Sequence, residues 1–245
     1  MHYGIIAAGE GSRLAQEGVE RPKPLVRLCG KPMIGRLIDI FMDCGAESIS
    51  VIVNERMTDV REYVERLASG LSVPLRLVVK STPSSMHSFH ELSRVMGREG
   101  RFVLTTVDTV FRPDDFAAYV RAFGSSPAEV DSLMAVTPWI DDEKPLYVAV
   151  DYDMKVTAFM DAPAPGVKYV SGGVYGLNAH AFDVLEDCVR RGESRMRNFQ
   201  RALVRDGLEV RACVIDKIID VDHAADIAEA EEFLGCGADV KQSGN

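Results

Sequence analysis

The sequence has no Cys-x-x-Cys pair, a single tryptophan, only 7% aromatic residues and no excess of basic charge. Each shortage excludes something. The five cysteines (Cys29, Cys44, Cys188, Cys213 and Cys236) are odd in number and widely scattered. Neither a disulfide framework nor a structural zinc site is expected from them, and they read as buried thiols of a reducing compartment. No apolar run approaches the ~18 residues needed to cross a bilayer. The opening MHYGIIAAGEGSRL lacks the basic start and long apolar core of a signal peptide. The expectation is a cytoplasmic protein with no membrane partner. Lys and Arg number 28 against 37 Asp and Glu, a net charge of -9. A surface so acidic is ill suited to gripping nucleic acid over a broad face. A small anion held by a few local cations remains compatible with it.

The residues that are present make an ordinary globular chain. Hydrophobic residues reach 47% and charged residues 27% of 245 positions. A chain of this length buries roughly 70–75% of its unfolded surface and needs no metal or disulfide staple to fold.

Two hydrophobic periods alternate through the first 110 residues. The short apolar run Tyr3–Ala8, which stops at glycines, reads as a buried strand, the β-branched Ile49–Val53 and Leu75–Val79 as further strands, and Phe102–Val107 as another apolar strand. Helical spacing predicts helices over Met33–Cys44, Asp59–Ala68 (capped by Thr58), His87–Met96 and Asp114–Phe123. Strands recur at Ser132–Pro138, Tyr147–Asp151, Val156–Met160, Tyr169–Leu177 and Glu209–Ile215. Further helices are expected at Ala179–Arg191, Arg195–Asp206 and Ala224–Leu234. This pattern predicts an α/β fold: a single Rossmann-like, mixed but mostly parallel sheet with helices on both faces. One domain over 1–235 and a flexible polar tail over 236–245 are expected. In such sheets ligands bind beyond the carboxyl ends of the strands, which singles out the loop after Ala8 and the segment Val107–Thr109.

The segment GIIAAGEGSRL (4–14) is a strand followed by a glycine-rich turn. Close-set glycines let backbone N–H groups approach phosphate oxygens. It is not a dinucleotide fingerprint, because Gly9-x-Gly11-x-x is followed by Leu14. It is not a P-loop either, because Glu10 follows the second glycine of the Gly4–Gly9 pair. Instead, Arg13 follows the loop and Lys23 lies between Pro22 and Pro24. A guanidinium fork and an ammonium on a stiffened backbone suit a triphosphate.

AAGEGSRL, then RPKPLVRLCGKPMIGRLID, resembles the signature of the sugar-phosphate nucleotidyltransferases, or NDP-sugar pyrophosphorylases. The matching residues are Ala7, Ala8, Gly9, Gly11, Ser12, Arg13 and Leu14, then Lys23, Pro24 and Leu25, then Gly30, Lys31 and Pro32. The resemblance implies a nucleotide-diphospho-sugar transferase fold and Mg²⁺-dependent transfer of a nucleotidyl group to a phosphorylated acceptor, with a role in polysaccharide biosynthesis. The loop from Ala7 to Ser12 and Arg13 would then hold the leaving phosphates, with Lys23 near the α-phosphate.

Two sets of carboxylates suit Mg²⁺, which takes one or two of them with phosphates and water. Asp108 closes the apolar strand FVLTTV, and Asp220 and Asp222 precede the last helix. The resemblance supports both as metal positions and ranks Asp222 above Asp220, although Val107-Asp108 stands where Gly-Asp is common. The other reading of Asp222 is a helix cap. By the same resemblance, Ser84 and Ser85 in STPSSMHS would face the base, and Gly172 and Gly173 in VSGGVYGL would face the acceptor. Many relatives carry Glu-Lys-Pro just before that strand, its lysine on the acceptor phosphate. This chain has Asp161-Ala162-Pro163, so Lys168 is the substitute candidate.

Other features read as solvated surface: the arginines at 190, 191, 195, 197, 201 and 205, and the loop of Trp139, Asp141, Asp142 and Glu143. His87, His90, His180 and His223 lack metal-ligand spacing. The expected activity is coupling of a nucleoside triphosphate to a sugar 1-phosphate with release of pyrophosphate. Two other readings stand beside it: a cytidylyltransferase acting on phosphocholine or a polyol phosphate, and a non-catalytic nucleotide-sensing module. The expected partners are the triphosphate and a phosphorylated small molecule, with assembly into a homo-oligomer left open.

Overall fold

The structure, a computed structural model, describes residues 1–140 and 143–236. Asp141 and Asp142 of the expected exposed loop, and positions 237–245 of the expected tail, lie outside the described residues.

The strands are β1 (His2–Ala7), β2 (Arg27–Leu28), β3 (Lys31–Pro32), β4 (Ser48–Val53), β5 (Leu75–Val79), β6 (Phe102–Thr106), β7 (Thr109–Val110), β8 (Ser132–Thr137), β9 (Tyr147–Val150), β10 (Val156–Met160), β11 (Tyr169–Leu177), β12 (Val210–Val214) and β13 (Ile219–Asp220). The helices are α1 (Ser12–Gln16), α2 (Met33–Asp43), α3 (Thr58–Ala68), α4 (Ser85–Ser93), α5 (Pro113–Gly124), α6 (His180–Arg190), α7 (Met196–Arg205) and α8 (Ala224–Phe233).

One sheet runs in the order β10-β9-β11-β6-β1-β4-β5, with β8 beside β11 and β12 beside β8. β6, β1, β4 and β5 are mutually parallel, whereas β11 runs antiparallel to β6, β8 and β9. All six residues of β4 are buried. Ile49, Val51, Ile52 and Val53, with only the small Ser48 and Ser50 among them, make up a strand covered on both faces. α2 presents Ile34, Leu37, Ile38 and Phe41 to the sheet, and Phe41 stacks on Tyr3 of β1 with ring centroids 4.4 Å apart. The register aligns Ala7 with Val53, Val53 with Val79 and Ile6 with Thr106. The loops that leave β1, β4, β5 and β6 therefore open on the same edge of the sheet.

Several local expectations are corrected. Thr58 opens α3 itself, with Met57 at the cap position and no side-chain cap. α4 begins at Ser85, two residues earlier than helical spacing suggested, because the Ser84 hydroxyl accepts from the His87 amide and caps it. The short α1, the β2–β3 hairpin and the β7–β13 pair were not expected; elements of two to five residues carry no readable period. The cysteine reading is corrected too. Cys29 and Cys236 form a disulfide with Cα atoms 5.7 Å apart, while Cys188 is a buried thiol and Cys44 and Cys213 are partly buried. That bond fastens the β2–β3 turn to the end of α8, beside a small apolar core of Leu14, Val26, Leu28, Met33, Val110, Ile219, Val221 and Ala230. No helix among the described residues is long and apolar enough to cross a membrane.

Candidate active site

A cavity of about 650 Å³ opens on that edge of the sheet. Its walls come from four loops: Ala8–Arg13 after β1, Asn54 and Arg56 after β4, Ser81–Ser85 after β5, and Thr106–Asp108 at the end of β6. Lys23 and Asp222 complete it.

Glycine shapes the first loop in two ways. Gly11 has φ +64°, and a Cβ there would stand 2.8 Å from Lys23 Cβ. The missing side chain lets the lysine stem pass close to the loop. A Cβ on Gly9 would meet nothing within 4 Å, so the protein itself leaves that space open beside the cavity.

Lys23 sits on a 3-10 turn (Lys23–Leu25) with Pro22 before it. Its Nζ lies 2.5 Å from Asp108 Oδ2 and 2.5 Å from Asp222 Oδ1. Arg13 donates to the other oxygen of Asp222, Oδ2, at 2.6 Å. Burial alone would lower the Lys23 pKa, but the charges of Asp108 and Asp222 outweigh it and hold the ammonium well above its ordinary range. Burial would likewise raise Asp108. The Lys23 charge and hydrogen bonds from Lys23 and Thr106 prevail, and its carboxyl stays ionised below the usual range.

Asp222 therefore does not cap the last helix. His223 occupies the cap position of α8. Asp226 Oδ2 accepts from the Asp222 and His223 amides at 2.8 and 2.6 Å, and Glu17 accepts from the Ala224 amide at 2.6 Å. These bonds fix the turn from which Asp222 reaches the cavity. Asp220 points elsewhere: it accepts from Thr109 Oγ1 at 3.3 Å, and Thr109 in turn meets Thr106 Oγ1 at 2.7 Å.

The donor set fits a divalent ion such as Mg²⁺. No group of three or more His, Cys, Asp and Glu side chains that could hold a metal exists among the described residues. Two carboxylates from distant segments converge on one cation, however, and the Lys23 ammonium stands in for it. Hard oxygen donors in that number, with phosphate oxygens and water filling the rest, are what Mg²⁺ uses. Asp108 and Asp222 would hold it.

The structure thus gathers Ala8, Gly9, Gly11, Ser12, Arg13, Lys23, Ser84, Ser85, Asp108 and Asp222 around one space. Ala7 is buried in β1 behind it. Asp220, Gly172, Gly173 and Lys168 do not line it. A Cβ on Gly172 would collide with Ile218 at 2.3 Å, and one on Gly173 with Thr109 Oγ1 at 2.5 Å. Both glycines are thus required by this chain's own side chains. Lys168 is exposed. Arg197 and Arg201 are not free surface charges either, since both clamp Asp161 at 2.7 Å.

Residues 4–235 match the model of the nucleotidyl transferase family. The chain belongs to that family. Over 238 residues it is 26% identical to a UTP–glucose-1-phosphate uridylyltransferase of Haloferax volcanii, covering 94% of this chain and 95% of that one. It is also 30% identical over 145 residues to a bifunctional IPC transferase and DIPP synthase of Thermococcus kodakarensis, covering 57% of this chain and 32% of the relative. A bifunctional relative of the same description from Rubrobacter xylanophilus matches over 94% of this chain and 51% of its own length. The chain therefore spans at most about half of those bifunctional relatives. The solved inositol-1-phosphate CTP transferase of T. maritima superposes with a TM-score of 0.80 at 20% identity, covering 97% of this chain and 96% of that one. That likeness shows the fold, and the expected nucleotidyltransferase architecture is the one observed.

Sequence reasoning missed three residues that line this cavity. Asn54 is 4% exposed; its Nδ2 donates to the Ala8 carbonyl at 3.1 Å, and its Oδ1 accepts from the Arg56 amide and the Ser81 hydroxyl at 3.0 and 2.9 Å. Arg56 stands at the cavity mouth, largely exposed, 4.0 Å from Glu10. Thr106 lines the cavity beside Asp108. The signal available for Asn54 was its place directly after a buried strand, at the ligand-binding edge.

Proposed function

We propose that the protein transfers a nucleotidyl group from a nucleoside triphosphate to a sugar 1-phosphate and releases pyrophosphate. The convergence of Lys23 on Asp108 and Asp222, beside the open glycine loop, is the observation that supports this reading. Three segments far apart in sequence build a cation-rich, carboxylate-lined end to a cavity of about 650 Å³.

In the proposed reaction an oxygen of the acceptor phosphate attacks the α-phosphorus. The bond from the α-phosphorus to the bridging oxygen breaks, and its electron pair leaves with pyrophosphate. No protein nucleophile is required, because placement and charge neutralisation carry the rate. The Gly9–Ser12 backbone and Arg13 bind the departing phosphates. Lys23 neutralises the α-phosphate, where negative charge would otherwise repel the incoming anion. A bound Mg²⁺ supplies Lewis-acid neutralisation of phosphate oxygens. The loop Ser81–Ser85 flanks the base through its backbone. The Ser84 hydroxyl accepts from the Arg195 amide at 3.2 Å and the Ser85 hydroxyl from the Met196 amide at 3.4 Å, so both are engaged by the start of α7.

A second reading is cytidylyl transfer to a non-sugar phosphate such as a polyol phosphate. Its support is the acceptor side: Asp161 is neutralised by Arg197 and Arg201, and Lys168 lies away from the cavity. The name of the T. maritima structure, an inositol-1-phosphate CTP transferase, points the same way. Pyrophosphate release with Mg²⁺, assayed over four nucleoside triphosphates against sugar 1-phosphates, inositol 1-phosphate and phosphocholine, separates the two readings. Nucleotide binding with no release for any pair would instead favour a sensing module.

A further inference from the structure

The geometry points to a cation exchange built into the site: Lys23 serves as counter-cation between Asp108 and Asp222 in the free protein, and it yields that place to the divalent ion only when a triphosphate arrives. This rests on the nucleotidyl-transfer reading and extends it to the order in which the parts assemble.

Each carboxylate oxygen of Asp222 already has a cation. Its Oδ1 faces Lys23 at 2.5 Å and its Oδ2 faces Arg13 at 2.6 Å. Asp108 spends Oδ2 on the same ammonium, also at 2.5 Å. The Lys23 side chain is only 10% exposed, so little water screens it. A divalent ion held by the same two carboxylates would meet the like charge of the Lys23 ammonium in a partly buried setting, where the two repel. The ion and the ammonium therefore compete for one position.

The lysine is also built to move at one end only. Its backbone is held in the 3-10 turn with Pro22 before it and Pro24 after it, and its Cβ lies against Gly11, where any larger residue would clash. The four-carbon stem beyond that point is flexible and ends in a compact charge. The open space beside Gly9 lies in the same cavity. A triphosphate there offers the ammonium a stronger anion than either carboxylate. Once the head turns to the phosphate, the carboxylates are free for the divalent ion. Triphosphate and ion then bind with positive coupling, and the ion alone binds weakly.

The test is direct binding of Mn²⁺, read from the electron paramagnetic resonance signal of the free ion, in the absence of nucleotide. The unmodified protein is expected to bind Mn²⁺ weakly. Lys23→Met is expected to bind it at least about tenfold more tightly, and Lys23→Arg, which keeps a cation, as weakly as the unmodified protein. Should Lys23→Met not fold because its carboxylates are left facing each other, Lys23→Gln carries the same comparison. If both variants fold only when Mn²⁺ is added, that rescue also supports the exchange; if Mn²⁺ rescues neither, it is overturned. Equal affinity of the unmodified protein and Lys23→Met overturns it as well, as does an absence of Mn²⁺ binding in all of them. Pyrophosphate release by the unmodified protein is measured alongside. Its persistence with equal Mn²⁺ affinities removes the exchange alone, whereas its absence for every substrate pair removes the functional reading.

Discussion

Asn54 donates its side-chain amide to the carbonyl of Ala8 at 3.1 Å, and so ties the end of β4 to the glycine loop of β1. The same side chain accepts from the Ser81 hydroxyl and the Arg56 amide. One buried amide thereby fixes the spacing of three cavity walls. Asn54→Ala leaves the Ala8 carbonyl and Ser81 without their partner, at a cost of about 1–3 kcal/mol. Chemical denaturation is expected to show that loss, and the KM for the triphosphate is expected to rise more than kcat falls. An unchanged KM would show that the three loops hold their spacing without it.

Asp108→Asn keeps the shape of the side chain and removes its charge. Turnover is expected to fall by about a hundredfold or more, since charge stabilisation at the α-phosphate is lost. Circular dichroism and the cooperativity of unfolding are expected to stay as in the unmodified protein. Asp220→Asn, which alters a residue outside the cavity, is expected to affect turnover far less. The reverse ranking would place the wrong carboxylate in the site.

Gly173 has φ +70°, and its missing Cβ is replaced by Thr109 Oγ1 at 2.5 Å. Gly173→Ala adds both left-handed strain and a clash with a strand residue, and is expected to destabilise by about 1–3 kcal/mol. Gly9→Ala adds a methyl group to open space. It is expected to leave the melting temperature nearly unchanged while weakening nucleotide binding. Comparing melting curves with nucleotide titrations for the two variants separates a glycine needed by the fold from one needed by the ligand.

The Glu17–His223 pair at the start of α8 gives a pH signature. Their side chains meet at 2.6 Å. Bonds to the Ala224 amide and to His223 lower the Glu17 pKa from 4.5, and the Glu17 partner raises that of His223 from 6.5. A lowered carboxyl contributes stability that is complete above about pH 4.5 and is lost as pH falls through its folded value. A raised histidine contributes stability that is complete below about pH 6.5 and is lost as pH rises through its folded value. The stability gap between the unmodified protein and Glu17→Gln is therefore expected to be widest between about pH 4.5 and 6.5. A gap that stays constant from pH 4 to pH 8 would assign the pair no electrostatic role.

Reduction of Cys29–Cys236 frees the end of α8, 207 residues away from its partner. Closing so long a loop is worth about 2–5 kcal/mol. The melting temperature is expected to fall on adding reductant and to be insensitive to it in Cys236→Ser. Labelling of five thiols rather than three in the unreduced, denatured protein would show that the bond is absent.

The strands and the glycine loop were legible in the sequence because their signals are local: a buried, mostly β-branched run for β4, a short leucine- and valine-rich run for the half-exposed edge strand β5, and a turn whose spacing excluded two other phosphate loops. Arg13 after the glycine loop, Lys23 between two prolines, Asp108 at a strand end and Asp222 before the last helix were singled out from the sequence and the family resemblance, and the structure brings the four to one cavity. The relations between distant segments were not. A serine pair at the start of α4 looks the same whether its hydroxyls face a base or, as here, the amides of Arg195 and Met196 more than a hundred residues later. Gly172 and Gly173 looked like room for a ligand, yet Ile218 and Thr109 fill that room. A lone asparagine after a strand resembles a turn residue until its partners Ala8 and Ser81 are in place. Cysteine counting likewise has no access to a pairing made only when the chain ends meet.

The most direct test follows a radiolabel at the α-phosphorus of each nucleoside triphosphate during incubation with Mg²⁺ and the panel of acceptor phosphates. Label appearing in a nucleoside-diphospho-linked product, one equivalent per pyrophosphate released and lost in Asp108→Asn, is the predicted result. Label that stays in triphosphate for every acceptor, with the nucleotide bound in the cavity, would contradict nucleotidyl transfer by this protein.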